Sequence, residues 1–162
     1  MEMGIIIQSV HVRTKNVDQM KEDIERLDRT VFAGRRAVDA PLTKDEWTEI
    51  WTSKRYKVYF ARECKTEKMI GYVVIKRTRP ENIYIDALGV HPDFRKTGVA
   101  TRLLKLILQK HHGKRVSLHV YVENEGAMRL YQSFSFEVKQ KVKHFYARGH
   151  HAYYLQQSLS YG

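Results

Sequence analysis

The chain has 162 residues, of which 43% are hydrophobic and 11% aromatic. These values predict one globular domain over residues 1–162 and argue against a disordered chain. No apolar run approaches the roughly 20 residues of a membrane span, and the first residues lack the basic and apolar regions of a secretory signal. Since the single cysteine, Cys64, excludes an internal disulfide framework, we expect a cytoplasmic or nuclear protein.

The formal net charge of +11 has three possible explanations. Basic residues can form a nucleic-acid-binding surface, bind a polyanionic cofactor together with an acidic or RNA-rich partner, or belong to a lysine-rich solvated surface. They are scattered along this chain and form no arm or nucleic-acid-binding module. We therefore expect a polyanionic cofactor and general surface charge. Nucleic acid is not expected as a substrate, and docking to a ribosome or to a larger auxiliary subunit stays open.

Hydrophobic patterning predicts a strand, two helices and a hairpin in the first part of the chain. Residues 5–12 are expected to form the strand. Asn16 is expected to cap a helix that runs to about Phe32. Thr43 and Glu46 have the spacing of a capping box, which predicts the start of a second helix. The hairpin strands are predicted at residues 56–64 and 69–76.

The second part of the chain alternates strands and helices. Residues 83–90 are apolar and β-branched, which predicts a largely buried strand. Pro92 ends this strand because proline cannot donate to a sheet ladder. Apolar residues at helical spacing predict a helix from Val99 that closes at Gly113. Further elements are predicted as a strand at 116–122, a helix capped by Asn124, and closing strands at 136–143 and 152–157.

The segment between the strand at 83–90 and the next helix suits a phosphate group. A helix N-terminus presents unpaired N–H groups and partial positive charge. Small residues at Gly98 and Ala100 allow phosphates to approach the backbone, and Arg95 and Lys96 add charge. The pattern lacks the lysine-serine ending of a Walker A loop and the triple glycine of a dinucleotide-binding loop.

In this position the R-x-x-G-x-A pattern resembles the acetyl-CoA loop of the GNAT acetyltransferase superfamily. The order of predicted elements is also similar to the GNAT fold, which is mixed α/β with a central twisted sheet of about seven strands flanked by about four helices. The resemblance covers nearly the whole chain and implies acetyl-CoA as the cofactor. It implies cofactor-binding roles for Leu88, Gly89, Val90, Arg95, Lys96, Thr97, Gly98, Val99, Ala100, Thr101, Asn124, Ala127 and Tyr131.

The spacing of Asn124, Ala127 and Tyr131 resembles the second cofactor-binding segment of the family. The resemblance implies that Asn124 contacts the pantetheine arm and that Tyr131 protonates the coenzyme A thiolate. The other interpretation of Tyr131 is a core tyrosine on a helix. Cys64 lies in a predicted strand far from this segment, with nothing basic to activate it. We therefore expect direct attack by the amine and no acyl-cysteine intermediate.

Tyr84 and His119 lie on neighbouring predicted strands, and Tyr84 is expected to share its face with Asp86 and Leu88. Singly, His119 is more often an ordinary strand residue. Together the two resemble the tyrosine–histidine couple of the NatE-like and NatF-like protein N-terminal acetyltransferases, where both act as general bases. A histidine with a pKa of ~6.5 can deprotonate an α-amine of pKa ~7.7 to 8.0 more easily than a lysine near ~10.4.

The same resemblance implies contacts with the substrate. Phe32 matches the phenylalanine of the family's substrate loop, although Ala33 and Gly34 replace its proline and valine. Phe145 and Tyr146 match a paired aromatic that is usually tyrosine-tyrosine. Asp86 stands where NatE-like enzymes carry an apolar side chain. It can bind the substrate ammonium, favour a basic residue, act as a base itself, or pair with a nearby lysine or arginine.

The resemblance thus implies transfer of acetyl from acetyl-CoA to the N-terminal α-amine of a protein or peptide. One alternative is an acetyltransferase that acts on lysine or a small amine. Another is a non-catalytic basic partner or nucleic-acid-binding module that retains the fold. The pairs His111-His112 and His150-His151 predict no metal site, because adjacent side chains point in different directions and no cysteine or carboxylate cluster completes a ligand set.

Overall fold

The computed structural model describes residues 3–10, 16–33 and 40–158. These residues form one seven-stranded sheet, in the order β1-β2-β3-β4-β5-β7-β6, and four α-helices. The mixed α/β fold and the predicted order of elements are therefore confirmed. The elements are β1 (Ile5–Ser9), α1 (Val17–Val31), α2 (Lys44–Thr52), β2 (Tyr56–Glu63), β3 (Met69–Arg79), β4 (Asn82–Val90), α3 (Val99–Lys110), β5 (Arg115–Tyr121), α4 (Glu125–Ser133), β6 (Phe136–Ala147) and β7 (His150–Gln157).

The starts of the first two helices differ in how well the sequence predicts them. The capping box of α2 is confirmed: the backbone N–H of Glu46 donates to Thr43 Oγ1 at 3.2 Å, and that of Thr43 donates to Glu46 Oε2 at 2.6 Å. Asn16 does precede α1, but the prediction that its side chain caps the helix is wrong. Its backbone is left-handed with φ of 60°, and its side chain makes no capping hydrogen bond. The predicted residues Val12 and Gly34 lie outside the described residues.

The sheet separates two apolar cores, so the fold has three layers. Residues of α3 and α4 pack on one face with alternate strand residues such as Tyr59 and Ala61. Residues of α1 and α2 pack on the other face with Val58 and Phe60. This alternation follows from the two-residue period of a strand buried on both faces. Within the described part of the chain, no helix is long and apolar enough to cross a membrane.

The centre of the sheet is split between β4 and β5. These strands are parallel, and their pairing runs from Asn82 beside Arg115 only as far as Ile85 beside Leu118. Beyond this point β5 pairs with β7, while β4 stays paired with β3. The carboxyl ends of β4 and β5 therefore separate and leave an opening in the middle of the sheet.

A β-bulge in β4 lies at the start of this opening. Ile85 pairs with Ile75 and Ala87 pairs with Val74, so Asp86 is an extra residue without a partner on β3. A bulge breaks the alternation of side chains along a strand.

Leu88 packs in the α3 and α4 core together with Ile83 and Ile85. Because Tyr84 alternates with these two residues before the bulge, its side chain points to the opposite face. The prediction that Leu88 shares a face with Tyr84 is therefore wrong. Ala87 instead packs against the core of α1 and α2.

The turn between α4 and β6 gives a stability prediction. Ser135 has a left-handed backbone with φ of 65°, a conformation that favours glycine. We expect Ser135→Gly to raise the free energy of unfolding by about 1 kcal/mol and Tm by about 3 °C. Ser133→Gly, in the last turn of α4, should instead lower stability by about 0.5 kcal/mol. Urea and thermal unfolding of both variants test this, and a stability loss in Ser135→Gly would contradict it.

Candidate active site

A cleft of about 510 Å³ opens where β4 and β5 separate. One wall comes from the end of α1 and the start of α2, and the opposite wall comes from β5, α4 and the β6–β7 hairpin. The cleft thus collects side chains from distant parts of the sequence. The predicted site residues that line it are Phe32, Tyr84, Asp86, Leu88, His119, Asn124, Ala127, Tyr131, Phe145 and Tyr146.

Tyr84 and His119 are joined by a hydrogen bond across the split sheet. The Tyr84 hydroxyl lies 2.7 Å from His119 Nδ1. The His119 ring stacks on Phe145, with centroids 4.1 Å apart and planes inclined by 6°, and a tilted Tyr154 ring lies at 5.0 Å. These contacts hold the imidazole in one orientation. The sequence-based pairing of Tyr84 with His119 has a geometric basis, while their catalytic role stays a prediction.

The protonation states of this pair follow from burial. Burial lowers the pKa of His119, so its imidazole is neutral at pH 7 and can accept a proton. Burial, followed by the Asp86 carboxylate and the hydroxyls of Tyr146 and Tyr154, raises the pKa of Tyr84 far above its usual value. The Tyr84 hydroxyl therefore stays protonated near neutrality and can donate to Nδ1. In this arrangement the Tyr84 hydroxyl donates to His119 Nδ1, and both side chains line the cleft.

Tyr131 has features of a core tyrosine and also lies where a proton donor could act. It is buried and packs edge-on against Phe136 at 5.6 Å between ring centroids, as a core tyrosine would. It also lines the cleft. Burial, with a smaller contribution from Tyr146, raises the pKa of Tyr131, so the hydroxyl keeps its proton near neutral pH. A protonated hydroxyl at this place suits a proton donor.

Asn124 positions the helix that carries Tyr131. Its Oδ1 accepts the backbone N–H of Ala127 at 3.1 Å, which caps the N-terminus of α4. The same residue lines the cleft. Because the cap uses the side-chain oxygen, the amide N–H groups are the part of Asn124 that can contact a ligand.

The loop before α3 has the features of a phosphate site. Gly98 is the N-cap of α3 with φ of 89°, and a Cβ atom placed there would have no neighbour within 4 Å. Arg95 donates from Nη2 to the carbonyl of Val31 at 3.2 Å, which ties the loop to the end of α1, and Thr97 Oγ1 donates to the carbonyl of Phe94. The start of the helix is therefore open at Gly98. The predicted residues Arg95, Lys96, Thr97, Gly98, Ala100 and Thr101 remain accessible, whereas Val99 is buried and packs in the α3 and α4 core.

The end of β4 offers a free strand edge to the same cleft. Leu88, Gly89 and Val90 pair with β3 on one side but lie beyond the pairing with β5. An extended ligand with amide groups can add to such an edge by backbone hydrogen bonds. Gly89 itself has a packing role, because a Cβ atom there would lie 2.6 Å from the Tyr72 ring.

A buried carboxylate in the wall of the cleft is not among the residues predicted from the sequence. Asp28 is fully buried, and its Oδ2 accepts the backbone N–H of Leu42 at 2.7 Å. Its Oδ1 accepts the Tyr72 hydroxyl, and the Trp47 side chain also donates to the carboxylate. A signal was available, since Asp28 follows Leu27 directly inside the apolar stripe of α1. A charged residue in such a stripe needs buried partners.

The β6–β7 hairpin, which places Phe145 over His119, is longer than predicted. β6 runs to Ala147 and not to residue 143. Its end is fixed by two histidines: His151 Nδ1 accepts the backbone N–H of His144 at 2.9 Å, and His144 Nδ1 accepts that of Gly149 at 2.8 Å. These histidines therefore have a structural role in holding the hairpin. The described residues contain no group of three potential metal ligands.

The split mixed sheet, the glycine-initiated helix beside it and the cleft between them define an α/β protein of the acetyltransferase class. The model of the acetyltransferase (GNAT) family matches residues 21–136. The chain belongs to the GNAT family, as the resemblance of its loop predicted.

Related proteins match parts of the chain, among them the following two. A human protein, the cysteine-rich protein 2-binding protein, is 44% identical over 63 residues, which are 39% of this chain and 8% of that protein. The N-alpha-acetyltransferase 50 of Danio rerio is 34% identical over 99 residues, which are 56% of this chain and 59% of that protein. The match thus spans less than two thirds of the length of either relative.

Solved structures of low sequence identity share the fold over almost the entire chain. The ribosomal-protein-S18-alanine N-acetyltransferase from Escherichia coli superposes with a TM-score of 0.80 at 16% identity, covering 98% of this chain and 96% of that one. The Arabidopsis thaliana NAA60 structure in complex with acetyl-CoA gives a TM-score of 0.73 at 21% identity, covering 94% and 97%. The GNAT fold is therefore shown independently of the sequence motifs.

Proposed function

We propose that the protein transfers an acetyl group from acetyl-CoA to the N-terminal α-amine of proteins or peptides. The observation that carries this proposal is the 2.7 Å hydrogen bond between Tyr84 and His119 inside the cleft. It supplies a neutral imidazole as proton acceptor, which is sufficient for an α-amine but weak for a lysine ε-amine. The similarity to the N-alpha-acetyltransferase 50 of Danio rerio supports the same substrate class.

The residues present fit acetyl-CoA, which when bound supplies an activated acetyl thioester. The backbone N–H groups at the start of α3, beside the exposed Gly98, would hold the pyrophosphate. The free edge of β4 at Leu88 to Val90 would pair with the amides of the pantetheine arm. The side-chain amide of Asn124 would donate to the same arm from the opposite side of the cleft.

The side chains of the cleft can handle both protons of an amine acylation. The Tyr84 hydroxyl can accept a proton from the substrate nitrogen while it passes its own proton to Nδ1 of His119. The Tyr131 hydroxyl, which stays protonated near neutral pH, can give a proton to the departing sulfur. Direct attack by the amine therefore needs no enzyme nucleophile, in agreement with the exposed position of Cys64 outside the cleft.

The cofactor loop gives a binding prediction. We expect Gly98→Val to weaken coenzyme A binding by about tenfold, because a β-branched residue is strained at φ of 89° and its side chain fills the space that phosphates need. Gly98→Asn should bind more tightly than Gly98→Val, because asparagine tolerates the left-handed conformation. Isothermal titration calorimetry with coenzyme A tests this. Equal affinity of Gly98→Val and the unmodified protein would place the phosphates elsewhere.

The proposed function is tested by acetylation of a peptide library that varies the first two residues, with the modified nitrogen located by fragment mass spectrometry. Acetyl groups on the α-amine are expected. Acetylation of lysine side chains or small amines in preference to every N-terminus would overturn the proposal in favour of another amine substrate. Absence of any transfer, with coenzyme A still bound, would favour a non-catalytic role for the fold.

We further propose that the enzyme works in the cytoplasm and docks on ribosomes, where new N-termini emerge. The net charge of +11 and the exposed lysines of β6 at positions 139, 141 and 143 support attraction to an RNA-rich surface. Co-sedimentation with ribosomes should weaken steeply as the salt concentration rises. Binding that does not depend on salt, or that requires another protein, would instead indicate a larger auxiliary subunit.

A further inference from the structure

Asp86 lies in the cleft at the point where β4 separates from β5. This residue is the extra residue of the β4 bulge, immediately after the last residue of β4 that pairs with β5. Bulges of this kind redirect a side chain beside a functional site. Asp86 lines the cleft together with Tyr84 and is close enough for its carboxylate to raise the pKa of Tyr84. A ligand that reaches the Tyr84–His119 pair therefore passes near this carboxylate.

The structure argues against an internal ion pair for Asp86. Among the residues that the structure describes, the Asp86 carboxylate has no hydrogen bond and no ion pair within 4.0 Å. The cation that acts on it is Lys76, whose Nζ lies over the Tyr56 ring at 5.2 Å from the centroid. Lys76 thus lowers the pKa of Asp86 without forming a contact ion pair with it.

The surroundings of Asp86 are acidic, although the chain as a whole is strongly basic. Desolvation raises the pKa of Asp86, Lys76 opposes this shift, and Glu46 and Glu49 on α2 add to it. Glu46 and the buried Asp28 also line the cleft. A cation bound here would relieve the repulsion among these carboxylates. Of the three carboxylates in the described lining of the cleft, Asp28 and Glu46 accept backbone N–H groups, so Asp86 is the one that remains available.

The bound cation is not the amine that reacts. An amine must lose its charge before it attacks, and a carboxylate in contact with it would stabilise the unreactive ammonium form. The Tyr84–His119 pair already supplies the proton acceptor for that nitrogen. A second positive charge on the same substrate can bind to Asp86 while the reacting amine loses its proton to the Tyr84–His119 pair.

We propose that Asp86 selects substrates with a basic side chain at one of the first two residues of the N-terminus. This inference rests on the proposed function, because it takes a peptide N-terminus as the substrate. Asp86 is then a specificity-determining residue that binds the lysine or arginine side chain and takes no part in proton transfer.

The test compares peptides that carry either arginine or citrulline at position one or two. Citrulline has nearly the same shape as arginine but no charge, and neither side chain can be acetylated in competition with the α-amine. The unmodified enzyme is expected to prefer arginine by about fivefold to tenfold in kcat/KM, and 0.5 M salt should reduce this preference. Asp86→Asn should bring the ratio of kcat/KM for the arginine peptide to that for the citrulline peptide close to one. Asp86→Lys should disfavour arginine.

Glu81→Gln is the matched control, because it removes one carboxylate from the turn at the other end of β4 and leaves the cleft unchanged. It should keep the preference for arginine. A ratio that does not change in Asp86→Asn, or an equal loss of turnover for both peptides, would overturn the assignment of Asp86 alone. Failure of the unmodified enzyme to acetylate the α-amine of any peptide would instead overturn the proposed function.

Discussion

Replacing His119 by alanine is expected to lower kcat/KM for a peptide N-terminus by between about 100-fold and 1000-fold, while coenzyme A still binds. The loss follows from geometry, because Nδ1 of His119 accepts the Tyr84 hydroxyl and His119 is the only histidine in the described lining of the cleft. Without it, a proton leaving the amine has no neutral base in the pair. Steady-state kinetics and calorimetry with coenzyme A separate the two effects.

Substitution of Tyr84 shows whether the two residues act as a unit. Tyr84→Phe should also reduce kcat/KM. The double variant should be little less active than His119→Ala alone, because each substitution interrupts the same path of proton transfer. His112→Ala is the control, since this histidine lies at the end of α3 outside the cleft. Activity of His119→Ala within threefold of the unmodified enzyme would show that another group accepts the proton.

The pH dependence of kcat/KM shows in which direction the pKa of His119 is shifted, which kinetics at one pH cannot show. Burial lowers the pKa of His119, so the base is neutral at pH 6.5 and the acid limb of kcat/KM should lie below that value. Phe145→Ala removes the ring that stacks on the imidazole at 4.1 Å and exposes it to water. The acid limb should then move up toward pH 6.5. A shift in the opposite direction would contradict burial as the cause.

The parts of the fold that the sequence predicts depend on nearby residues. The α2 capping box joins positions three apart, and the R-x-x-G-x-A loop is a continuous segment between a strand and a helix. The capping box and the position of the loop before a helix are confirmed, because their interactions form within a single turn of chain. The pairing of Tyr84 with His119 required the family resemblance as well, since 35 positions separate them.

The parts that the sequence does not predict depend on register and on distant partners. The bulge at Asp86 is a property of how β4 pairs with β3, and nothing in the alternation of residues 82–90 reveals it. The prediction that Leu88 shares a face with Tyr84 is wrong for that reason. Asn16 has the residue type of a cap, but its backbone is left-handed and its side chain makes no capping hydrogen bond. The Asp28 network joins residues as far as 44 positions apart, which only the folded chain brings together.

The Asp28 network gives the second large effect, which is on stability. We expect Asp28→Ala to lower the free energy of unfolding by about 3 to 4 kcal/mol, because the variant leaves the Leu42 N–H, the Tyr72 hydroxyl and the Trp47 side chain without their buried acceptor. Tyr72→Phe removes one donor and leaves the carboxylate with the other two, so we expect it to lower the free energy of unfolding by about 1 to 2 kcal/mol. Urea unfolding at pH 7 measures both.

The pH dependence of these variants identifies the charge state of Asp28. Desolvation raises the pKa of this carboxyl in the folded protein, so the folded state binds its proton more readily than the unfolded state does. The contribution of Asp28 therefore becomes less favourable as the pH rises from the unfolded value of 3.8 through the raised value. Asp28→Asn cannot ionise, so the stability difference between the unmodified protein and this variant should shrink with rising pH across that window. A difference that instead grows with pH would mean that the three donors hold the carboxylate more tightly than burial opposes its charge, and that the wall of the cleft depends on a permanent negative charge.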